Sequence, residues 1–257
     1  MSYLSRLGEI RKNHFGTNMQ VIRYNNAMDI TIKFLDEHGY EKDTTYNNFT
    51  IGKIHNPYDR TVKEMGYLGV GKYKVQYEDR KVNTVEYMAW KNMLERCYMA
   101  KYADLHPAYY GVCEVCEEWH DLQNFAKWHE ENAYECEGRL HLDKDIKYPG
   151  NTLYSPETCI LVPQRINMLF MNKGNNRGLP NGIMKQKNGY SAKYNCEALG
   201  TYSTVEEAFN VYAAKKKQTI IEVANEYKSI LPQHVYDAIV AHEFDIKNDK
   251  NYKPNTQ

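Results

Sequence analysis

The chain has 257 residues, with 33 basic and 33 acidic side chains, and its formal net charge is zero. This length predicts one to three small domains, and the neutral balance means that any nucleic-acid-binding surface has to be local. The sequence has no run of about 18 apolar residues, so no membrane span is predicted. With no apolar signal segment at the start, the six cysteines indicate reduced thiols and a cytoplasmic protein.

Residues 1–65 predict a small and mostly β module. Residues 19–24 and 29–34 alternate as strands, with a hairpin turn at residues 25–27 between them. The run at residues 46–54 continues the strand pattern. Its order Y-N-N, F, G-x-I-x-N-P resembles the SH3-like barrels attached to phage proteins of the HNH nuclease family. That resemblance leaves open a protein partner, a nucleic-acid contact or a purely structural role for this module.

Residues 66–82 hold three glycines, but they do not form a G-x-G-x-x-G motif that opens a helix, so no dinucleotide site is predicted. A short strand is expected at the end of this crossing. A helix is predicted from Thr84, its N-cap, to Cys97. Its run W-K-N-M-L-E-R-C-Y resembles a helix that precedes the nuclease core in related phage proteins, which makes Arg96 a candidate phosphate contact.

Residues 112–128 place apolar side chains at helical or strand-then-helix spacing and predict core. Cys113 and Cys116 form a C-x-x-C pair, to which Cys136 and Cys159 could add ligands in space. A structural zinc site is not expected, because no second closely spaced ligand pair follows. Buried thiols are the favoured interpretation.

The stretch from Arg139 to Asn167 predicts a strand, a loop, a second strand and the start of a helix. In the first strand, alternation places His141, Asp143 and Asp145 on one face. The residues Tyr148-Pro149-Gly150-Asn151 are typical of a turn. Residues 159–162 form the apolar second strand, and Pro163 can open the helix that carries Asn167. Two carboxylates, an imidazole and a carboxamide can therefore converge, and such groups suit a divalent metal.

This order resembles the ββα-metal core of HNH nucleases, most closely the phage-type homing endonucleases. The resemblance assigns Asp143 and Asn167 as ligands of Mg²⁺ or another divalent cation. It also implies a catalytic histidine directly after the aspartate, where this chain has Lys144. His141, on the same strand face, is the candidate base in its place, with Asp145 and Asn151 completing the candidate catalytic set.

Three short strands are predicted at residues 183–187, 190–195 and 198–202, followed by a capping box from Thr204 to Glu207. The runs G-Y-S-A-K-Y and L-G-T-Y-S-T-V-E-E-A-F resemble the DNA-binding module of plant ethylene-response factors, which also occurs in phage HNH endonucleases. The resemblance implies a sheet in the major groove. The candidate DNA contacts are Arg177, Lys185, Lys187, Tyr190, Lys193 and Tyr194. Further helices are predicted from Lys215 to Tyr227 and from His234 to Phe244.

The predicted fold class is therefore α+β, in four segments: a β-barrel-like module (1–65), an HNH-like ββα core with packing helices (66–175), a three-stranded sheet plus helix (176–216), and C-terminal helices with a polar tail (217–257). The resemblance implies a bacteriophage protein that binds double-stranded DNA in the bacterial cytoplasm and cleaves it with a divalent metal. Two alternatives stay open: a nuclease-inactive DNA-binding regulator, and a phage–host interaction protein that acts as a decoy or anti-defence factor.

Overall fold

A computed structural model describes residues 6–104 and 109–253. The fold is mixed α+β, as the sequence predicts, with six α-helices and four sheets in those two ranges. The chain separates into two compact units, one of residues 1–87 with 117–125 and one of residues 88–116 with 126–257. None of the helices in the described ranges is both long enough and apolar enough to cross a bilayer.

The first unit contains a four-stranded antiparallel sheet in the order of the sequence. Its strands are β1 (Ile10–Lys12), β2 (Asn18–Asn26), β3 (Asp29–Phe34) and β4 (Glu41–Thr44). Every second side chain of β3, namely Ile30, Ile32 and Phe34, is fully buried. The alternation predicted for this strand is confirmed, whereas closure of the sheet into an SH3-like barrel stays a prediction.

The expectation of a strand over residues 46–54 is wrong, because the chain forms helix α1 (Tyr46–Thr50) there. Thr45 caps this helix by accepting a hydrogen bond from the Asn48 backbone N–H at 3.2 Å. An N-cap threonine followed by two asparagines, which strands disfavour, outweighs the aromatic spacing that resembled a strand. Phe49 is buried against the sheet, so one turn of helix supplies the apolar side chain that a strand would have supplied.

The glycine-rich crossing has no strand within the described residues, only isolated bridges. Its glycines permit close approach of other side chains. A Cβ atom on Gly69 would lie 2.3 Å from Asp121 Oδ1, and one on Gly71 would lie 2.2 Å from Gln123 Oε1. The Gln123 amide donates to the carbonyls of Leu68 and Tyr73 at 2.9 and 3.1 Å. These glycines therefore allow the side chains of Asp121 and Gln123 to pack closely against the crossing.

From residue 85 onward the elements are α2 (Val85–Tyr98), β5 (Glu114–Val115), α3 (Leu122–Asn132), β6 (Leu140–Asp143), β7 (Leu153–Tyr154), β8 (Ile160–Pro163), α4 (Gln164–Phe170), β9 (Ile183–Gln186), β10 (Gly189–Tyr194), β11 (Glu197–Tyr202), α5 (Val205–Glu226) and α6 (Gln233–Ala241). The predicted helix after Thr84 is confirmed, and the Thr84 hydroxyl accepts from the Tyr87 backbone N–H at 3.3 Å. The strands of the C-terminal sheet lie within one or two residues of their predicted bounds.

The predicted strand–loop–strand–helix stretch forms an antiparallel β6–β8 pair followed directly by α4. Pro163 opens α4 as the sequence predicts, although it occupies the N-cap position rather than the first turn. Every residue of β8 is buried, and Ile160, Val162 and Ile166 share one core with α5 and α6. The ββα unit is thus held in place by the two C-terminal helices.

The C-terminal sheet has the order β11–β10–β9 and packs against α5. The Thr204–Glu207 capping box is confirmed by hydrogen bonds in both directions. A single 22-residue helix runs where two were predicted, because Lys215–Lys217 are good helix formers and no glycine or proline interrupts them. The predicted module boundary at residue 216 therefore falls inside α5, whose first half packs on the sheet and whose second half packs on the ββα unit.

Candidate functional site

The candidate site lies where β6 and α4 meet. His141 and Asp143 share one face of β6, and α4 carries Asn167 to them. The side-chain nitrogen of Asn167 lies 3.2 Å from His141 Nδ1. Asp143 and Asn167 both line a cavity of about 380 Å³, so the predicted metal ligands face the same space.

Asp143 is fixed by its own backbone. One carboxylate oxygen accepts hydrogen bonds from the backbone N–H groups of Asp145 at 2.8 Å and Ile146 at 2.7 Å. Burial raises the pKa of Asp143 to about 6, in spite of these donors. The second oxygen accepts no hydrogen bond from the described residues, which leaves it available to a ligand in the cavity.

Lys144 stands where the resemblance to HNH nucleases implies a catalytic histidine, and its contacts do not suit a catalytic base. Its ammonium is buried and donates to both carboxylate oxygens of Asp145, at 2.8 and 2.9 Å, and to the Asn151 carbonyl. Burial lowers its pKa, but the Asp145 carboxylate more than compensates, so the pKa ends above its usual value. Lys144 therefore stays charged and cannot serve as a base near neutral pH.

Asp145 and Asn151, both in the candidate catalytic set, hold the loop between β6 and β7. The Asn151 amide donates to the carbonyls of Lys144 at 2.9 Å and Leu153 at 2.6 Å, and its oxygen accepts from the Leu153 backbone N–H at 3.1 Å. With Asp145 engaged by Lys144, the polar atoms of both side chains serve loop structure. This geometry gives them a supporting role rather than contact with a reacting group.

His141 is the side chain in this group suited to accept a proton. Burial, followed by the charges of Arg96 and Arg139, lowers its pKa below the usual value. The imidazole is therefore neutral at neutral pH. The Arg96 guanidinium lies 5.4 Å from the ring centre of Tyr109 and 6.0 Å from that of Tyr154, and these rings hold the cation beside the site.

The donor set fits a hard divalent cation bound by few protein ligands. Asp143 offers a carboxylate oxygen and Asn167 a carboxamide oxygen, and Mg²⁺ commonly uses one or two carboxylates with water and phosphate oxygens. Within residues 6–104 and 109–253, no cluster of three His, Cys, Asp or Glu side chains could hold a metal by itself. Burial raises the thiol pKa of both Cys97 and Cys159 to about 12, so these two stay protonated as core thiols.

Of the six candidate DNA contacts, four lie on the two faces of the C-terminal sheet and two lie in the loops beside it. Tyr194 is a correction: it is 8% exposed and packs on Tyr212 of α5, with ring centres 5.7 Å apart, so it cannot reach a groove. Tyr190 packs toward the same helix, and Lys185 donates to its hydroxyl at 3.0 Å. Lys193 is exposed on the open face. Lys187 is exposed in the β9–β10 turn, and Arg177 is exposed in the loop before β9.

The sequence prediction missed Lys216, which also lines the cavity and is 7% exposed. A signal for it exists in the helical spacing of α5. Phe209, Ala213, Lys216 and Ile220 recur at intervals of three and four residues and are all buried. A lysine on the apolar stripe of a helix is unusual, because a buried ammonium is costly without a partner.

Comparison of the chain with models of protein families, with curated proteins and with solved structures gives no match.

Proposed function

We propose that this protein binds double-stranded DNA and hydrolyses a phosphodiester bond at the ββα unit with a divalent cation. The observation that supports this proposal is the position of Asn167, which lies 3.2 Å from His141 and lines the same cavity as Asp143. Metal-assisted hydrolysis requires a general base and oxygen ligands for the cation. An imidazole that is neutral at neutral pH and the two oxygen ligands on the cavity wall meet these requirements.

Each residue of this group has a distinct role. Asp143 and Asn167 hold the cation, which when bound offsets negative charge on the phosphate and the leaving oxygen. His141 accepts the proton of the attacking water at Nε2. Arg96, whose charge already acts on His141, faces the negative charge of the phosphate.

The role of His141 places a condition on Asn167. A neutral imidazole can accept a proton at Nε2 only if Nδ1 carries the hydrogen. Nδ1–H must then donate to the carboxamide oxygen, so the amide has to present its oxygen at the position that lies 3.2 Å from Nδ1. Asn167 therefore positions the base as well as contributing an oxygen ligand.

DNA binding is assigned to exposed cations of the C-terminal module: Lys193 on the open face of the sheet, Lys187 in its first turn and Arg177 in the preceding loop. A small three-stranded sheet fits the width of the major groove. Contacts of this kind go to phosphates as well as base edges, and the affinity then falls as salt is raised.

A plasmid-nicking assay with Mg²⁺ or Mn²⁺ tests the catalytic part. We expect His141→Ala and Asn167→Ala each to reduce cleavage by at least ~100-fold, the lower range for losing a positioned acid–base group. His234→Ala changes an exposed histidine of α6 and serves as the matched control, with cleavage as in the wild type. Metal-dependent cleavage that survives both site substitutions would refute the assignment.

The second candidate function is a DNA-binding regulator, or a phage–host decoy, built on the same scaffold without nuclease activity. Lys144 favours it, because a buried lysine paired with Asp145 occupies the family's histidine position. Salt-dependent DNA binding without cleavage under any divalent metal would support the regulator. If the protein neither binds nor cleaves DNA, a phage–host interaction protein is the remaining interpretation. A pull-down with the N-terminal module would then identify its partner.

A further inference from the structure

Lys216 presents a buried positive charge to the cavity. Its side chain is 7% exposed, and within residues 6–104 and 109–253 it makes no hydrogen bond and no ion pair. Its nearest defined contact is the ring of Phe244, whose centre lies 4.6 Å from Nζ. A cation–π contact occupies one side of an ammonium and leaves its other N–H donors unsatisfied.

The charged neighbours of Lys216 around the cavity are already engaged. Asp249 accepts hydrogen bonds from the backbone N–H groups of Asn251 at 2.8 Å and Asn181 at 3.3 Å. Glu243 is paired with Lys217. Among the described cavity-lining residues, three further carboxylates each accept at least one hydrogen bond from a lysine or a backbone N–H group: Asp143, Asp145 and Asp245. Lys250 is exposed to water. Of the described charged groups that line the cavity, Lys216 is the one that is both buried and unpaired.

We propose that this cavity binds the phosphate group of a nucleotide, with Lys216 as its anion-binding residue. The choice of a nucleotide among phosphate compounds rests on the proposed function, because Asp143 and Asn167 line the same cavity. The need for an anion does not rest on it. That need follows from a buried ammonium on the cavity wall that makes no hydrogen bond and no ion pair with the described residues.

A phosphate answers this need better than other common groups. An ammonium is a compact point charge that binds phosphate through charge-assisted hydrogen bonds. Burial lowers the pKa of Lys216 to about 8, although the charge of Asp249 acts in the opposite direction, so the ammonium is still mostly charged at neutral pH. A bound phosphate would supply a hydrogen-bond partner to this ammonium and stabilise its charged form.

The size and walls of the cavity suit one nucleotide. Its volume of about 380 Å³ is at the lower end of the range for small-molecule pockets, which is room for a single nucleotide. Phe170 and Phe244 on its wall stack with ring centres 6.0 Å apart, and His242 packs on both. Aromatic surfaces of this kind stack on nucleobases. Such a site would position a nucleotide next to Asp143 and Asn167.

Isothermal titration calorimetry in EDTA tests the proposal with three probes: inorganic phosphate, deoxyadenosine monophosphate and deoxyadenosine. The nucleotide is expected to bind the wild type more tightly than phosphate does, and the nucleoside is expected to bind at least tenfold more weakly than the nucleotide. Lys216→Met should reduce nucleotide affinity at least tenfold. Lys215→Met is the matched control, because Lys215 is the preceding residue and pairs with Glu197 at 3.0 Å.

Several results would overturn the proposal: no binding to the wild type, equal binding to Lys216→Met, or equal affinity for the nucleotide and the nucleoside. Equal affinity for phosphate and the nucleotide would overturn the nucleotide assignment. Thermal denaturation of Lys216→Met checks that the variant is folded. The nucleotide should raise the Tm of the wild type and not that of Lys216→Met, which itself should melt no lower. EDTA removes divalent cations, so this binding test is independent of cleavage. The nicking assay can therefore refute the proposed function while nucleotide binding is still observed, and the binding test can refute this proposal while cleavage is still observed.

Discussion

The loop that follows β6 and the middle of α5 each bury a lysine, but the two lysines have different contacts and opposite pKa shifts. Lys144 in the loop is 5% exposed and Lys216 in the helix is 7% exposed. Lys144 meets the Asp145 carboxylate and the Asn151 carbonyl, and its pKa is raised. Lys216 meets an aromatic ring, and burial lowers its pKa to about 8.

Burial alone therefore does not determine what a lysine does in this protein. Desolvation disfavours the charged form at both positions, and the presence of a partner decides the sign of the net shift. Where the partners are internal, the lysine stabilises a loop that presents Asp143 to the cavity. Where they are missing, the buried charge lowers stability, and on our proposal it is available to bind an anion. The predictions below test this contrast, from the largest expected effect to the smallest.

The largest effect is expected in the pH dependence of stability at Lys216. Its pKa is about 8 in the folded chain and 10.5 for an ordinary lysine in water, so the unfolded chain binds more protons between these values. The free energy of unfolding of the wild type, relative to Lys216→Met, should therefore rise from pH 8 to pH 10.5, by about 3 kcal/mol at most. Denaturant unfolding of both proteins across this range measures the difference. Asp249 and His242 are present in both proteins, so their own contributions to stability cancel in it.

Lys144 supplies the control with the opposite sign. Because its folded pKa is raised, its contribution to stability is complete below pH 10.5 and is lost only as the pH rises through the folded value. The difference between the wild type and Lys144→Met should stay flat up to about pH 10. If the stability difference had the same pH dependence for both lysines, the presence of a partner would not be what distinguishes them.

At neutral pH, Lys144→Met should lower the free energy of unfolding by about 2 kcal/mol. The substitution removes two hydrogen bonds to Asp145 and leaves the Asn151 carbonyl without its lysine donor. The cost is below that of a fully buried pair, because the Asp145 side chain is 41% exposed. Lys147→Met, an exposed lysine of the same loop, should change stability by less than about 0.5 kcal/mol in the same urea titration.

Features determined by neighbouring residues could be predicted from the sequence. The alternation of Ile30, Ile32 and Phe34 identified β3, and the Thr204–Glu207 spacing identified the start of α5. The strand expected over residues 46–54 failed because a single N-cap at Thr45 outweighed a weak alternation. Local rules compete in short segments, and the stronger hydrogen-bonding group decides.

The environments of the two buried lysines could not be predicted in the same way. The sequence places Lys144 next to Asp145, but the return of the Asn151 carbonyl onto its ammonium depends on the folded loop. Lys216 follows the apolar spacing of α5, yet its lack of a partner among the described residues depends on how α6 and the chain beyond it pack around it. Pairing across the fold is a tertiary property, and residue spacing carries little information about it.

Removal of the α5 N-cap separates helix stability from the environment of Lys216. Thr204→Ala breaks the capping box and should destabilise the protein by about 1 kcal/mol in denaturant unfolding. Lys216 lies three turns further along α5 and is held by packing, so the pH 8–10.5 rise of about 3 kcal/mol should persist in this background. Its disappearance would mean that the first turn, rather than the core, keeps Lys216 buried.

The smallest effect on stability is expected for a lysine exposed to solvent. Lys193 lies on the open face of β10, so Lys193→Ala should change the free energy of unfolding by no more than about 0.5 kcal/mol. If this face meets a DNA phosphate, the same change should weaken binding about equally for all sequences and reduce the salt slope by about one. Lys185→Ala is the matched control, because Lys185 contacts Tyr190 on the helix side of the sheet. If the salt slope is unchanged for Lys193→Ala but reduced for Lys185→Ala, the DNA contacts the opposite face of the sheet. A reduced slope for Lys193→Ala alone would extend the contrast to three positions: a buried lysine with partners stabilises, a buried lysine without them binds inside the fold, and an exposed lysine binds outside it.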